Sequence, residues 1–156
     1  MAALAITGCG RQDVPATVVR LPVPYGPGQT PDLFIGGACA ALRTGQRFRM
    51  SPGEQTRDFL YLDDGIEALL LAAENISVCR GEILNACSGV AITLREAIRV
   101  IGEIAGQADF ADVGALAYRP REQMHYVGDP SKIRKLLGWS ARTSFAEGIR
   151  QALAPP

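Results

Sequence analysis

Apolar positions along this chain come in short runs, punctuated by Pro and Gly, and the period of the runs changes. Residues 16–21 (ATVVRL) are β-branched and bounded by Pro15 and Pro22, which predicts a short buried strand. Pro22, Pro24, Gly26, Pro27 and Gly28 then make a rigid, non-helical loop. Helical spacing returns over residues 32–42 through Leu33, Phe34, Ala38, Ala41 and Leu42, and Gly45 supplies a left-handed stop. Residues 47–50 alternate like a strand, and Ser51-Pro52-Gly53 reads as a turn. Residues 57–62 (RDFLYL) alternate again, with Phe59 and Tyr61 on one side. Asp63 or Asp64 is expected to cap a helix reaching about residue 75, with Ile66, Leu69, Leu70 and Ala73 facing inward. Residues 82–87 (EILNAC) predict another buried strand, followed by a Ser88-Gly89 turn. Thr93-x-x-Glu96 and Ser144-x-x-Glu147 are capping boxes that open two helices. In the first of these, Ile98, Ile101 and Ala105 share a face that ends at Gly106. Between them, Asp129-Pro130 opens a helix through Ile133, Leu136 and Leu137 to Gly138.

This order of strands and helices defines an α/β chain bordering on α+β. Only two strands look fully buried, which is thin for a parallel sheet and hints that strands of a larger sheet are absent. The length, 156 residues, suits a single domain spanning 1–156 with a core of its own. Hydrophobic residues at 47% and charged residues at 21% place it among globular chains. Lys plus Arg equals Asp plus Glu, so general binding to nucleic acid or an acidic membrane lacks the basic surplus it needs. Only Lys132 and Lys135 are lysines; the other basic residues are arginines, whose planar fork suits phosphate and carboxylate, although a GC-rich genome alone gives the same bias. Cys9, Cys39, Cys79 and Cys87 have no zinc-ligand spacing and His125 is the lone histidine, so no metal site is expected. The longest wholly apolar stretch, residues 68–73, is far short of a membrane span. Residues 2–6 are too short for a signal core, and a cytoplasmic location with reduced thiols is expected.

Three signatures then occur in order. The first is Arg20-Leu-Pro-Val23-Pro-Tyr25-Gly26-Pro27. The second is Gly53-Glu-Gln-Thr-Arg57-Asp58-Phe59-Leu-Tyr61-Leu-Asp63. The third is Arg119-Pro-Arg121-Glu122, running through Asp129-Pro-Ser131-Lys132 to Leu137-Gly138-Trp139. Together they closely resemble the C-terminal half of the extended short-chain dehydrogenase/reductase family, the NAD(P)-dependent sugar-nucleotide epimerases and dehydratases. The resemblance covers residues 14 to about 150. It implies an incomplete Rossmann-type sheet with a small helical substrate-binding lobe. In such enzymes the N-terminal part holds the dinucleotide and supplies a catalytic Tyr and Lys spaced Y-x-x-x-K, while the C-terminal part holds the nucleoside diphosphate of the substrate. Four residues after the tyrosines of this chain stand Gln29, Gly65, Glu122 and Pro130, so it contains no Y-x-x-x-K. Leu4-Ala-Ile-Thr-Gly8-Cys-Gly10 echoes the start of a Gly-rich loop, but the next expected glycine is Arg11. Residues 1–13 are read either as the tail of the helix that carries the catalytic Lys or as a relic of the nucleotide-binding strand, and residues 14–156 as the substrate-binding portion. No cofactor is expected on this chain alone, and no catalytic residue. The expected partners are a nucleoside-diphosphate sugar and either an N-terminal half or a second copy.

The resemblance also implies roles residue by residue. Arg57 and Arg119 match the family's phosphate-clamping arginines, and a diphosphate needs donors that stay charged and reach bidentately. The alternative is surface ion pairing, Arg57 with Asp58 or Asp63 and Arg119 with Glu122. Glu122 stands at the acidic position that contacts ribose, although the family has Gly-Asp where this chain has Arg121-Glu122. Tyr25 is a substrate-binding candidate or packing under the proline loop; Phe34 lines the nucleobase side or packs in the core. Val23 replaces the family's Asn and loses a hydrogen bond worth about 1 kcal/mol. Asp58 is expected to hold backbone at the strand–helix corner, Asp129 to cap a helix, and Trp139 to plug the core.

Overall fold

The computed structural model describes residues 2–5 and 15–154. In chain order the elements are β1 (Ala2–Ala5), β2 (Val18–Leu21), β3 (Val23–Tyr25), α1 (Phe34–Thr44), β4 (Phe48–Met50), β5 (Thr56–Arg57), β6 (Phe59–Tyr61) and α2 (Leu62–Glu74). They continue with α3 (Ile76–Cys79), β7 (Ile83–Asn85), β8 (Ile92–Thr93), α4 (Leu94–Ile104), β9 (Ala111–Val113), β10 (His125–Tyr126), α5 (Ser131–Leu137) and α6 (Phe145–Leu153). The two predicted buried strands pair with each other: β2 runs parallel to β7, Val19 opposite Leu84, and β1 lies antiparallel along the other edge of β2. A second sheet has the order β10-β5-β8, and β3-β6 and β4-β9 form parallel pairs. Of residues 1–13, only Ala2–Ala5 are described, as a strand; the rest of that segment lies outside the described residues.

The run at residues 57–62 is not one strand. It breaks at Asp58, where the chain leaves the β10-β5-β8 sheet and joins β3. Its alternation is real, but both faces are covered. Phe59 and Tyr61 enter one core cluster with Tyr25, Ile35, Ile101 and Ile149, while Leu60 enters a second with Val19, Ala68, Leu84 and Trp139. Trp139 is 2% exposed, a core plug as expected.

Several local expectations are corrected. Helix α1 begins at Phe34 rather than Asp32, and its cap comes from upstream. Gln29 Oε1 accepts from Gly36 N at 3.1 Å while Gln29 Nε2 donates to the Pro24 carbonyl at 2.9 Å, so one amide closes the helix start and the proline loop together. Neither Asp63 nor Asp64 caps α2. Asp64 is buried and instead accepts from Arg142 N and Thr143 N at 3.2 and 2.9 Å, fixing the entry to α6. The face of α2 is also turned from the predicted one. Asp64, Gly65, Ala68 and Ala72 are buried, whereas Ile66 and Leu70 are 45% and 59% exposed and Ala73 is exposed too. The small residues lie against the sheet, where α2 packs on β2 and β6 and Gly65 faces the Leu21 and Leu60 side chains. The Ser144–Glu147 capping box is complete. At α4 only half of one forms: Thr93 accepts from Glu96 N at 3.0 Å, and the Glu96 carboxylate turns to Arg99. Asp129 does not cap α5: Pro130 holds the N-cap position without a side-chain bond, and Asp129 accepts from Ser131 N at 2.9 Å in the turn around it. Gly45 and Gly138 close α1 and α5 with positive φ as expected.

Candidate functional site

Strand β5 lies in the middle of its sheet and carries Arg57. Its parallel register with β10 sets His125 opposite Thr56 and Tyr126 opposite Arg57, held by Thr56 N to the Met124 carbonyl at 2.8 Å and Asp58 N to the Tyr126 carbonyl at 3.0 Å. This pairing brings the segment before β10 alongside Arg57. The guanidinium donates through Nη1 to the carbonyls of Thr56 and Gln123, both at 2.8 Å, and through Nη2 to Glu122 Oε1 at 2.6 Å. Glu122 in turn closes a tight turn, its N–H donating to the Arg119 carbonyl at 3.0 Å. Arg121 in that turn has φ 62°, the one non-glycine with positive φ among the described residues. A left-handed backbone at Arg costs about 1 kcal/mol that a glycine would not. Arg119 is exposed and has no ion-pair partner among the described residues.

Arg57, Glu122 and the turn bearing Arg119 thus share one wall of the β10-β5-β8 sheet. The ion pair differs from the alternatives read from sequence: Arg57 takes Glu122, not Asp58 or Asp63. Their separation along the chain hides this pairing until the strand register is known. Asp58 points elsewhere. Fully buried, it accepts from Ser88 N (3.0 Å), Ser88 Oγ (2.6 Å), Gly89 N (2.9 Å) and Gly128 N (3.2 Å), tying together the loops after β7 and β10. Burial and the Asp58 charge push the Cys87 thiol up to about 12.

Tyr25 and Phe34 are not brought to this wall. Tyr25 is 2% exposed, edge-on to Phe59 and Tyr61, with its hydroxyl donating to the Phe145 carbonyl at 3.2 Å. Phe34 is half-buried and packs on Phe48 and Phe59 at ring distances of 5.5 and 6.5 Å. Both side chains spend their surface on the core, the packing alternative of each. His125 is exposed, its Nδ1 2.7 Å from Thr56 Oγ1. An apolar cavity of about 180 Å³ lies between β2 and α2, and a polar one of about 430 Å³ between the ends of α1 and α4. Neither is lined by Arg57, Arg119 or Glu122.

Comparison with known proteins decides the family. The profile of the GDP-mannose 4,6 dehydratase family matches residues 10–152, nearly the whole chain. The chain belongs to this family. It is one of NAD-dependent sugar-nucleotide dehydratases and epimerases of the extended short-chain type. Relatives include the CDP-abequose synthase of Salmonella typhimurium, 28% identical over 149 residues that cover 90% of this chain and 48% of the synthase. The dTDP-D-glucose 4,6-dehydratase of Homo sapiens is 29% identical, covering 89% and 41%. Among solved structures, a UDP-glucuronic acid 4-epimerase from Bacillus cereus, in complex with UDP-glucuronic acid and NAD, superposes with a TM-score of 0.82 at 26% identity, over 90% of this chain and 44% of the epimerase. The chain therefore spans less than half the length of these relatives, and its small parallel sheets with flanking helices match part of their Rossmann-like fold.

Among the described residues, no strand-to-helix junction forms the open Gly-rich turn that holds a dinucleotide phosphate. A pyrophosphate on a helix N-terminus needs a Gly-rich turn out of a strand and unoccupied N–H groups. Strand β6 runs straight into α2 and β8 into α4, without a glycine turn. The glycine loop ahead of α1 is closed by Gln29 on Gly36 N, with the Gln29 and Thr30 carbonyls crowding Gly36.

Proposed function

We propose that this chain is the substrate-binding portion of a sugar-nucleotide epimerase or dehydratase, and that it binds a nucleoside-diphosphate sugar on the β10-β5-β8 wall. Arg57 and Arg119 clamp the diphosphate, and Glu122 accepts from ribose hydroxyls. The observation that carries this reading is the β5–β10 register, which seats Arg57 against the Arg119–Glu122 turn although 65 residues separate Arg57 from Glu122. Guanidiniums offer charge-assisted, bidentate donors to a diphosphate, and the turn that carries Arg119 packs beside Arg57. The relatives point the same way, since the Bacillus cereus epimerase holds UDP-glucuronic acid. Tyr25 and Phe34 support the site from within the core rather than by contact. Hydride transfer and the Tyr-Lys proton chemistry of the family are supplied from outside these residues, so this chain binds without turning over.

Titration calorimetry with UDP tests the proposal. Arg57→Ala and Arg119→Ala are each expected to weaken binding at least about tenfold, the loss of one charge-assisted contact of about 1.5–3 kcal/mol. Absence of UDP binding, or binding that neither substitution changes, contradicts it.

A further inference from the structure

Arg57 is largely engaged before any ligand arrives. Nη1 is spent on two backbone carbonyls, and one Nη2 N–H goes to Glu122 at 2.6 Å, so the carboxylate stands beside the two N–H groups that are left. This pair is also unlike the surface ones. Its side chains are 16% and 18% exposed, against 57% and 38% for Arg47–Asp112 and 76% and 42% for Arg142–Glu67. Screening by water makes the exposed pairs weak, whereas the Arg57–Glu122 pair holds its partners in a drier place. The carboxylate therefore stands against Nη2, where its charge repels an anion approaching the remaining Arg57 donors.

We propose that Glu122 is the resident counter-ion of this site, which a diphosphate must displace, and that this exchange makes Glu122 the residue that selects ligands carrying two phosphates over single anions. The inference rests on the anion-site reading above. Its logic is a charge balance. A monovalent anion that displaces Glu122 exchanges one negative charge for another and loses a partly buried pair, so it gains nothing. A diphosphate carries at least two negative charges and engages Arg119 as well as Arg57, so the exchange runs in its favour. The turn couples the two events. Glu122 holds the turn through Arg57 and through its N–H on the Arg119 carbonyl, with Arg121 kept at φ 62° between them. Release of the carboxylate unpins the downstream side of the turn that presents Arg119.

Inorganic pyrophosphate and acetate are the probes, because neither has hydroxyls that Glu122 could hold. With the wild-type chain, pyrophosphate is expected to bind and acetate not to bind. Glu122→Gln keeps the shape and removes the charge. It is expected to tighten pyrophosphate about tenfold and to make acetate binding measurable, with circular dichroism unchanged. Glu122→Asp, whose shorter carboxylate is drawn back from Arg57, is expected to tighten pyrophosphate by a smaller factor, and it serves if the Gln variant misfolds. A strut that merely positions Arg57 predicts the opposite sign: pyrophosphate binding unchanged or weakened in both variants overturns the exchange. Failure of pyrophosphate to bind any of the three proteins overturns the anion site itself and the exchange with it.

Discussion

Replacing Asp58 with Ala is expected to cost about 3–5 kcal/mol of stability, enough to unfold much of the population at room temperature. The side chain is fully buried and receives four donors, three backbone N–H groups and the Ser88 hydroxyl, at 2.6–3.2 Å. Removing the carboxylate leaves those N–H groups buried without partners, each costing about 1–3 kcal/mol if water does not reach it. Asp58→Asn is a sharper control. It preserves volume but turns an NH2 toward donors, and it should recover less than half of the loss. Urea unfolding followed by circular dichroism measures both; a cost below about 1 kcal/mol for Asp58→Ala contradicts this role. The change also reaches the ligand wall. Asp58 follows Arg57 and anchors Gly128, two residues beyond β10, so loosening it frees the strand whose register brings Glu122 to Arg57.

Gly36→Ala is expected to cost about 2–4 kcal/mol and to lower the melting temperature by about 5–15 °C. A Cβ at this position in the first turn of α1 would fall on the Thr30 carbonyl oxygen and lie 2.7 Å from that of Gln29. These are backbone atoms of a proline-rich loop and have little room to yield. Gln29 would also be pushed off the Gly36 N–H, undoing the amide that caps α1 and ties down Pro24. Differential scanning calorimetry reads the shift. A melting temperature within about 2 °C of wild type would show that the loop gives way.

Much of the fold is legible in the sequence because local signals and packing agree there. The two β-branched runs pair as β2 and β7, the Ser144–Glu147 box forms, and Gly45 and Gly138 end their helices. Legibility fails where a partner is remote. Gln29 reaches seven residues forward to cap α1, and Asp64 bonds backbone 78 and 79 residues away instead of its own helix. On α2 the larger apolar residues dominate the hydrophobic period, whereas close approach to the sheet favours Ala68 and Ala72; of the residues expected inward, Leu69 does pack on the core. At the candidate site, motif spacing names Arg57, Arg119 and Glu122; Arg57 pairs with Glu122, and the backbone of Arg119 lies in the turn that Glu122 closes. Spacing also named Tyr25 and Phe34, which a motif cannot tell from core residues, because both roles call for an aromatic ring.

The most direct measurement is a crystal structure of this chain grown with UDP. The account predicts both guanidiniums, Arg57 and Arg119, within about 2.7–3.2 Å of oxygens of one diphosphate, with Glu122 withdrawn from Arg57. UDP seated away from the β10-β5-β8 wall, with the Arg57–Glu122 contact intact, would contradict it.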